Sequence, residues 1–414
     1  MLTDSILKGL RVVEASAFVA APLGGMTLAQ LGAEVIRIDP LAGGLDYKRW
    51  PVSENNTSLF WCGLNKSKKS VAIDLASPEG RELAAALITA PGPDAGILLT
   101  NFPPRGFLDH EALKKRRPDL IQLTISGDRH GGSAVDYTIN PRLGIPFLTG
   151  GGDAHEVWNH VLPAWDLVTG NMAVIGILAA ERIRRQTGEG QHIKLALEDA
   201  ALAVMGHLGL IAEAQLGTRR ERINNDLFGA FGRDFQTGDG ERVMIVGLTL
   251  KQWKALCKAT EISSSIAELE VKLNLNLNEE GNRFKAREDI AALLKPWVSS
   301  RSLAQIAEVF EKSGVCWSKY QTVQQLVASD PACSTSNPLF TDVEQSGVGN
   351  WLVPGLPLSF SSIPRAPARA APQLGEHTEE VLAGLLGLSN AELGRLFDKG
   401  LIGAPSAKKA TVQA

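Results

Sequence analysis

The sequence has no long apolar run, few cysteines and almost no excess charge of either sign. No stretch reaches the roughly 18 consecutive apolar residues of a spanning helix. The most apolar one, residues 167–180, is interrupted by Gly170, Asn171 and Gly176. The opening MLTDSILKGLRVVE shows no signal-peptide core. These absences argue against a membrane partner and leave the cytoplasm as the expected compartment. Cys62, Cys257, Cys316 and Cys333 are scattered without metal-ligand spacing. The histidines, His155 and His160 among them, form neither HxxxH nor HExxH, so no metal is expected. A formal net charge of -3 argues against nucleic acid as a partner. No G-x-G-x-x-G follows a strand, and there is no Walker loop and no G-x-S-x-G elbow. A dinucleotide fingerprint, a P-loop and a hydrolase triad therefore lack support.

What is present is a chain of 414 residues, 44% hydrophobic and 21% charged, enough for one large domain or two ordinary ones. Strand-like runs at 10–15, 33–39, 70–75, 95–100 and 120–126 alternate with helix-like ones at 21–32 and 77–88. Ser77 and Pro78 form a helix-start signature for the second of these helices. Such alternation predicts an α/β fold with an open, mainly parallel sheet covered on both faces. Ligands on such sheets sit beyond the strand carboxyl ends. Residues 127–165 read as a long loop rich in Gly, Pro, Asp and His, followed by a helix to about Arg185. A GDG turn at 238–240 predicts a hairpin. The expected divisions are a large α/β domain over 1–220, a smaller α+β domain over 225–330, a linker and return over 331–403, and a disordered tail over 404–414.

Asp166, in LPAWDLVTG, is a lone acid where an apolar helix begins. Its commonplace role is an N-cap, accepting from the free amides of the first turn. Its chemical role would be a carboxylate nucleophile that attacks an acyl carbon. Gly24-Gly25 and Gly150-Gly151-Gly152 mark turns or places where backbone nears a ligand. The basic cluster KKRR (114–117) reads as a solvated helix end. NKSKKS (65–70) directly precedes a strand and reads as a sheet edge or a ligand rim, with a weak phosphate signal. Arg105, just after the strand AGILLT, stands at a strand's carboxyl end, where ligands dock.

The segments LKGLRVVE, AAPLGGMTLAQLGAEVIRID, LNKSKKSVAIDLASPEGRE, LLTNFPP, the long run from AWDLVTG to KLALEDA, and LGEHTEEVL together resemble the family III CoA-transferases. The resemblance covers the chain to about residue 400. It implies an open Rossmann-like domain built from both chain ends, a smaller domain between, and a homodimer of interlocked rings. It also implies that coenzyme A enters as part of an acyl-CoA substrate, with no permanently bound cofactor. The family aspartate falls on Asp166. The backbone at Val19 and Ala20 falls where amides face the reacting carbonyl. Phe18, Ile73, Asn101 and Phe102 fall on CoA-contacting positions, with Arg105 as a phosphate partner. Two positions depart from the pattern. Pro40 replaces a basic residue, and LFGAFGRDF stands where some members have a mobile glycine loop.

The same fold serves racemases that pair the aspartate with a histidine in an HDINY-like motif. Here the matching stretch is VDYTIN, with Val135 in the histidine's place, and valine carries no proton. The narrower resemblance is to the isomerase branch, carried by the stretch from SAFVAAPLGG to YKRWPV, by VDYTINPRLGIPFLTG and by NHVLPAWD. Its members move CoA between the C1 and C4 carboxyls of one mesaconate in C5-thioester carbon metabolism. Retaining the freed dicarboxylate calls for a cation, and Arg49, Arg142 and His160 are the candidates. Their commonplace role is ordinary ion pairing. Two alternatives stay open: an intermolecular transfer between an acyl-CoA and a carboxylic acid, and a noncatalytic acyl-CoA-binding protein.

Overall fold

The larger sheet is built from short buried strands whose apolar residues point alternately to two helical layers. The computed structural model describes residues 5–151 and 156–405. Its seven strands are β1 (Arg11–Ala15), β2 (Glu34–Asp39), β3 (Lys69–Ile73), β4 (Ile97–Thr100), β5 (Ile121–Ser126), β6 (His192–Ala196) and the short β12 (Ile402–Gly403), in the order β12-β3-β2-β1-β4-β5-β6. The first six pair in parallel, and β12 closes one edge antiparallel to β3. This is the expected α/β class with a mainly parallel sheet.

Helices α1 (Ala20–Gln30), α2 (Leu59–Leu64), α3 (Pro78–Ile88), α4 (His110–Arg116), α5 (Asp136–Arg142), α6 (Ala164–Thr187), α7 (Leu197–His207) and α8 (Leu210–Gln215) follow in chain order. One sheet face packs Val12, Val35, Ile97, Leu99 and Leu123 against Leu28 of α1 and Ala173 and Ile177 of α6. The other packs Val13, Ile36, Ile38, Val71 and Leu98 against α3 and the C-terminal helices. Strand order reverses at β1, whose neighbours are β2 and β4. The crevice beyond Ala15 and Thr100, paired at the ends of β1 and β4, is therefore the topological switch point.

A compact unit is formed by the described residues of Met1–Leu143, Val161–Gln215 and Pro331–Ala414. A second comprises those of Gly144–His160 and Leu216–Asp330. The second holds the antiparallel sheet β7 (Phe231–Gln236), β8 (Arg242–Gly247) and β9 (Cys316–Lys319), with the GDG hairpin joining the first two. Around it lie α9 (Leu250–Ala259), α10 (Ser263–Leu273), α11 (Glu280–Lys285), α12 (Arg287–Ser299), α13 (Leu303–Ser313) and α14 (Val323–Ser329). Phe231, Trp253, Leu256, Ile290, Leu294 and Phe310 fill its core. The described residues of 144–160, assigned from sequence to the large domain, cluster with this unit; Arg222 Nε, for example, donates to Phe147 O at 3.1 Å.

The Pro-rich 338–373 stretch contains a hairpin that its composition hid. β10 (Phe340–Gln345) pairs with β11 (Gly349–Pro354), and Gln345 clasps the backbone of Ala371 through both amide atoms. Beyond it, α15 (Thr378–Leu386) and α16 (Asn390–Asp398) return the chain to the large sheet. The expected tail lies outside the described residues from 406 onward, as do Gly152 and His155.

Beside the apolar packing of α1 on the sheet lies a buried ionic network. Arg37, on β2, is fully buried and donates to Glu14, Asp39, Asp46, Ser16 and Asn65. Lys68 Nζ donates to Glu14, to Asn65 and to the Pro22 carbonyl. A Cβ on Gly25 would stand 1.7 Å from a Glu14 oxygen, so the glycine of α1 makes the room that the carboxylate fills. Burial pushes the Asp39 carboxyl up and brings the Lys68 ammonium down to about 8, with Glu14 opposing the latter shift. Removing one member strands the others without water. Arg37→Met leaves three buried carboxylates with Lys68 alone, and we expect a loss of about 3–5 kcal/mol. Urea unfolding of variant and wild type measures it; a loss below about 1 kcal/mol would show the network to be energetically neutral.

Candidate active site

A helix begins with amide N–H groups that lack intrahelical acceptors. In α6 the N-cap position is Pro163, and no side chain of the helix caps it. The commonplace reading of Asp166 as a cap is therefore not what the structure shows. The amides of Trp165 and Asp166 instead donate to Oδ2 of Asp136, at 2.7 and 3.2 Å. Asp136 is 1% exposed and opens α5. Four residues on, Asn140 Oδ1 accepts from the Trp165 indole at 3.2 Å. Trp165 is thus gripped at backbone and ring by one face of α5.

The Asp166 carboxyl is half-buried; burial first, and the Asp136 charge after it, raise it to about 6 against the opposing Arg49 charge. A group titrating there is mostly ionised at neutral pH. It is also more basic than an ordinary aspartate, which favours nucleophilic attack.

Two glycines bring α1 against this turn. A Cβ on Gly170 would stand 2.7 Å from the Ala20 carbonyl oxygen, and one on Gly24 would stand 3.1 Å from the Gly170 oxygen. Gly170 lies four residues after Asp166, on the same helical face. The start of α1 therefore faces the turn that carries Asp166. Phe18, Val19 and Ala20 lead into α1, where no side chain caps the first amides. Phe18 has φ 69°, a left-handed conformation that a bulky residue adopts only when held. Two side chains hold it. The Phe18 amide donates to Asp46 Oδ1 at 2.9 Å, and Asp46 Oδ2 accepts from Arg37. The preceding Ala17 is clasped by Asn101, which accepts from its amide at 2.9 Å and donates to its carbonyl at 2.7 Å. The buried network thus reaches the loop through Asp46.

The Arg49 charge is felt at Asp166, and the Ala20 carbonyl lies against Gly170, four residues along α6. The Arg49 guanidinium lies 4.6 Å from the Phe60 ring centre and 5.6 Å from that of Phe18. Asn101 and Phe102 follow β4, and Phe102 is exposed. Ile73 ends β3 and is fully buried against the sheet edge. Arg105 is exposed and precedes a turn whose Gly106 and Phe107 line a cleft of about 220 Å³ with Arg81 and Arg116. Arg142 pairs with Glu198 at 2.6 Å. His160 belongs to the second unit. Among the described residues no group of three or more His, Cys, Asp or Glu is placed to hold a metal.

Several readings of the sequence are corrected. Gly24 and Gly25 sit inside α1 and serve packing, not a turn. Gly150, with φ 81°, keeps its reading as a turn and lies against Trp158, while Gly151 lies against the Asn224 side chain. Lys68 is consumed by Glu14, so NKSKKS is no open phosphate rim. Arg117 of the KKRR cluster is buried and donates to the Ala90 and Gly92 carbonyls. Asp136, Asp46 and Arg37 were missed. A proline at the N-cap of α6 is the one local sign that the cap comes from elsewhere.

A profile described as CoA-transferase family III matches residues 7–378. The chain is 59% identical to the 2-methylfumaryl-CoA isomerase of Chloroflexus aurantiacus, over 97% of this chain and 98% of that protein. It is 28% identical to the succinyl-CoA–L-malate CoA-transferase beta subunit of the same organism, over 96% of this chain and 98% of the other. A crystal structure of a CAIB/BAIF family protein from Brucella suis superposes with a TM-score of 0.72 at 26% identity, covering 92% of this chain and 99% of that one. The chain belongs to the family III CoA-transferases.

Proposed function

We propose that this chain is an isomerase that moves CoA between the C1 and C4 carboxyls of mesaconate, converting 2-methylfumaryl-CoA to 3-methylfumaryl-CoA. The observation that carries the reading is the near-full-length identity to the Chloroflexus isomerase.

The proposed chemistry starts at Asp166. One carboxylate oxygen bonds to the C1 thioester carbon, the C–S bond breaks, and its electron pair leaves on sulfur as CoA thiolate. The thiolate then attacks the Asp166 side-chain carbonyl of the resulting anhydride. This gives an aspartyl-CoA thioester and frees the dicarboxylate. The dicarboxylate turns and its C4 carboxylate attacks that thioester, forming a second anhydride and thiolate. Thiolate attack at C4 releases product and restores Asp166. The charge that builds on each tetrahedral oxygen is met by the uncapped amides of Val19 and Ala20 at the positive end of α1. Anhydrides hydrolyse in water, so the bulk of Phe18 and Val19 serves to keep the reacting centre dry.

Arg49 is our choice for holding the resting carboxylate, because its charge is felt at Asp166. Its place between the Phe18 and Phe60 rings keeps the guanidinium oriented. Arg142, paired with Glu198, and His160 are assigned supporting roles. Phe18, Asn101, Phe102 and Arg105 are assigned to CoA, along the strand carboxyl ends, and the fully buried Ile73 to the sheet beneath them.

The chain acts, in this reading, in the cytoplasm as an interlocked homodimer; among the described residues no helix is long and apolar enough to cross a membrane. Met172, Ile175 and Ile183 form an exposed apolar stripe on α6 that supports pairing with a second copy.

Three outcomes are expected. Asp166→Ala loses at least about a thousandfold in kcat, and mass spectrometry of wild type with 2-methylfumaryl-CoA finds an adduct on Asp166 that the variant lacks; full activity in the variant would mark a noncatalytic acyl-CoA binder. With labelled free mesaconate present, the product stays unlabelled; extensive label uptake would indicate intermolecular transfer. Light scattering gives a dimer, and Ile175→Glu weakens it; an unchanged monomer in both would remove the homodimer.

A further inference from the structure

Asp136 is a carboxylate that the proposed reaction leaves unused. It is 1% exposed, and it faces the nucleophile's own peptide. Its Oδ2 takes the Trp165 and Asp166 amides, while its Oδ1 is buried with no hydrogen-bond partner. A neutral acceptor would cap those amides equally well. A buried charge with one bare oxygen is a costlier choice, and it is placed beside a second carboxylate.

Resting on the reading of Asp166 as nucleophile, we infer that Asp136 is a positioning residue with two effects. It occupies the first-turn amides of α6 so that they do not sequester Asp166, and it holds a fixed negative charge whose repulsion is relieved when Asp166 is acylated. The first effect follows from geometry. An acid three residues into a helix ordinarily reaches back to the N-cap amide. Pro163 has no such N–H, the Ala164 amide donates to the Leu162 carbonyl, and Asp136 takes the amides of Trp165 and Asp166. The second follows from the charge balance of the attack. When an Asp166 oxygen bonds to the acyl carbon and the C–S electron pair departs on sulfur, the negative charge leaves Asp166 for the thiolate. The Asp136 charge stays. An interaction that is repulsive before the bond forms and absent after it lowers the barrier.

Other charges nearby do not supply this repulsion. α1 carries none. On α5, Arg142 is paired with Glu198 of α7, and Asp199 of α7 is paired with Arg129. His207 lies at the far end of α7. On β6, His192 and Lys194 flank Ile193, which meets α6 at Gly176, about 15 Å along the axis from Asp166. Arg49 acts in the opposite sense, and the Asp136 charge agrees in direction with the raised Asp166 carboxyl.

The test is Asp136→Asn in the full-length enzyme, which keeps an acceptor oxygen and removes the charge. Asp136→Ser carries the same readout if the first variant does not fold. Wild type is expected to show an acid limb in kcat/KM at about pH 6, activity falling below it as Asp166 protonates. In the variant the limb moves down by about one pH unit, and adduct formation in a single turnover at pH 8 slows by about tenfold. Thermal unfolding stays close to wild type. A folded variant with an unmoved limb and an unchanged adduct rate overturns the inference. Absence of any adduct on Asp166 in wild type overturns the nucleophile reading itself, whatever the Asp136 variants do.

Discussion

A carboxylate placed in the first turn of a helix is drawn to the unsatisfied amides around it, and a carboxylate so engaged is a poor nucleophile. The large unit is arranged around that constraint. Pro163 removes the donor at the N-cap, the Leu162 carbonyl takes the Ala164 amide, and Asp136 takes those of Trp165 and Asp166. To put Asp136 there, residues 136–142 must fold as a helix and dock on α6, which they do through Asn140 and the Trp165 indole. To bring a second helix start to the same turn, α1 and α6 must cross closely, which requires Gly24 and Gly170. One carboxylate and the start of a second helix converge because three helices have given up their ordinary caps or side chains at the contact.

The buried network under α1 answers a different need. Apolar residues at Glu14, Arg37 and Lys68 would pack as well and cost less to bury. They would not fix Phe18 in a left-handed conformation. Asp46 does so because each of its oxygens has a single task, one on the Phe18 amide and one on Arg37. Arg37 is in turn anchored by Glu14 on the neighbouring β1 and by Asp39 on its own strand. A charge network tied to the sheet therefore sets the backbone of a loop at the strand ends. Rigid elements position a reacting group more tightly than loops do, and this loop borrows its rigidity from the sheet.

The sheet was legible in the sequence because buried parallel strands read as continuous β-branched runs, and five of them stand out. Ser77 and Pro78 marked the start of α3 correctly, with the Ser77 hydroxyl accepting from the Gly80 amide. The hairpin at β10–β11 was hidden by flanking prolines, and the short α5 by the polar composition around it. Asp166 stood out because an acid beside an apolar run is locally odd. Asp136 and Asp46 did not, since their partners lie 30 and 28 residues away and no local pattern encodes them. Lys68 misled for the same reason: a lysine in a basic cluster looks open to a phosphate until the fold brings Glu14 to it from 54 residues away.

The charges at the site also bear on why one arrangement suits transfer within a molecule. In the proposed cycle the negative charge shuttles between Asp166, the thiolate and the freed carboxylate, while Asp136 and Arg49 stay fixed. Asp136 favours states in which the charge is off Asp166. Arg49 favours states in which a carboxylate rests beside it. The aspartyl-CoA thioester with free dicarboxylate satisfies both at once, because Asp166 is then neutral and a full carboxylate is present. That is the state in which the dicarboxylate must remain long enough to turn. A site tuned only to expel its acid would need neither the second aspartate nor a cation held between two rings.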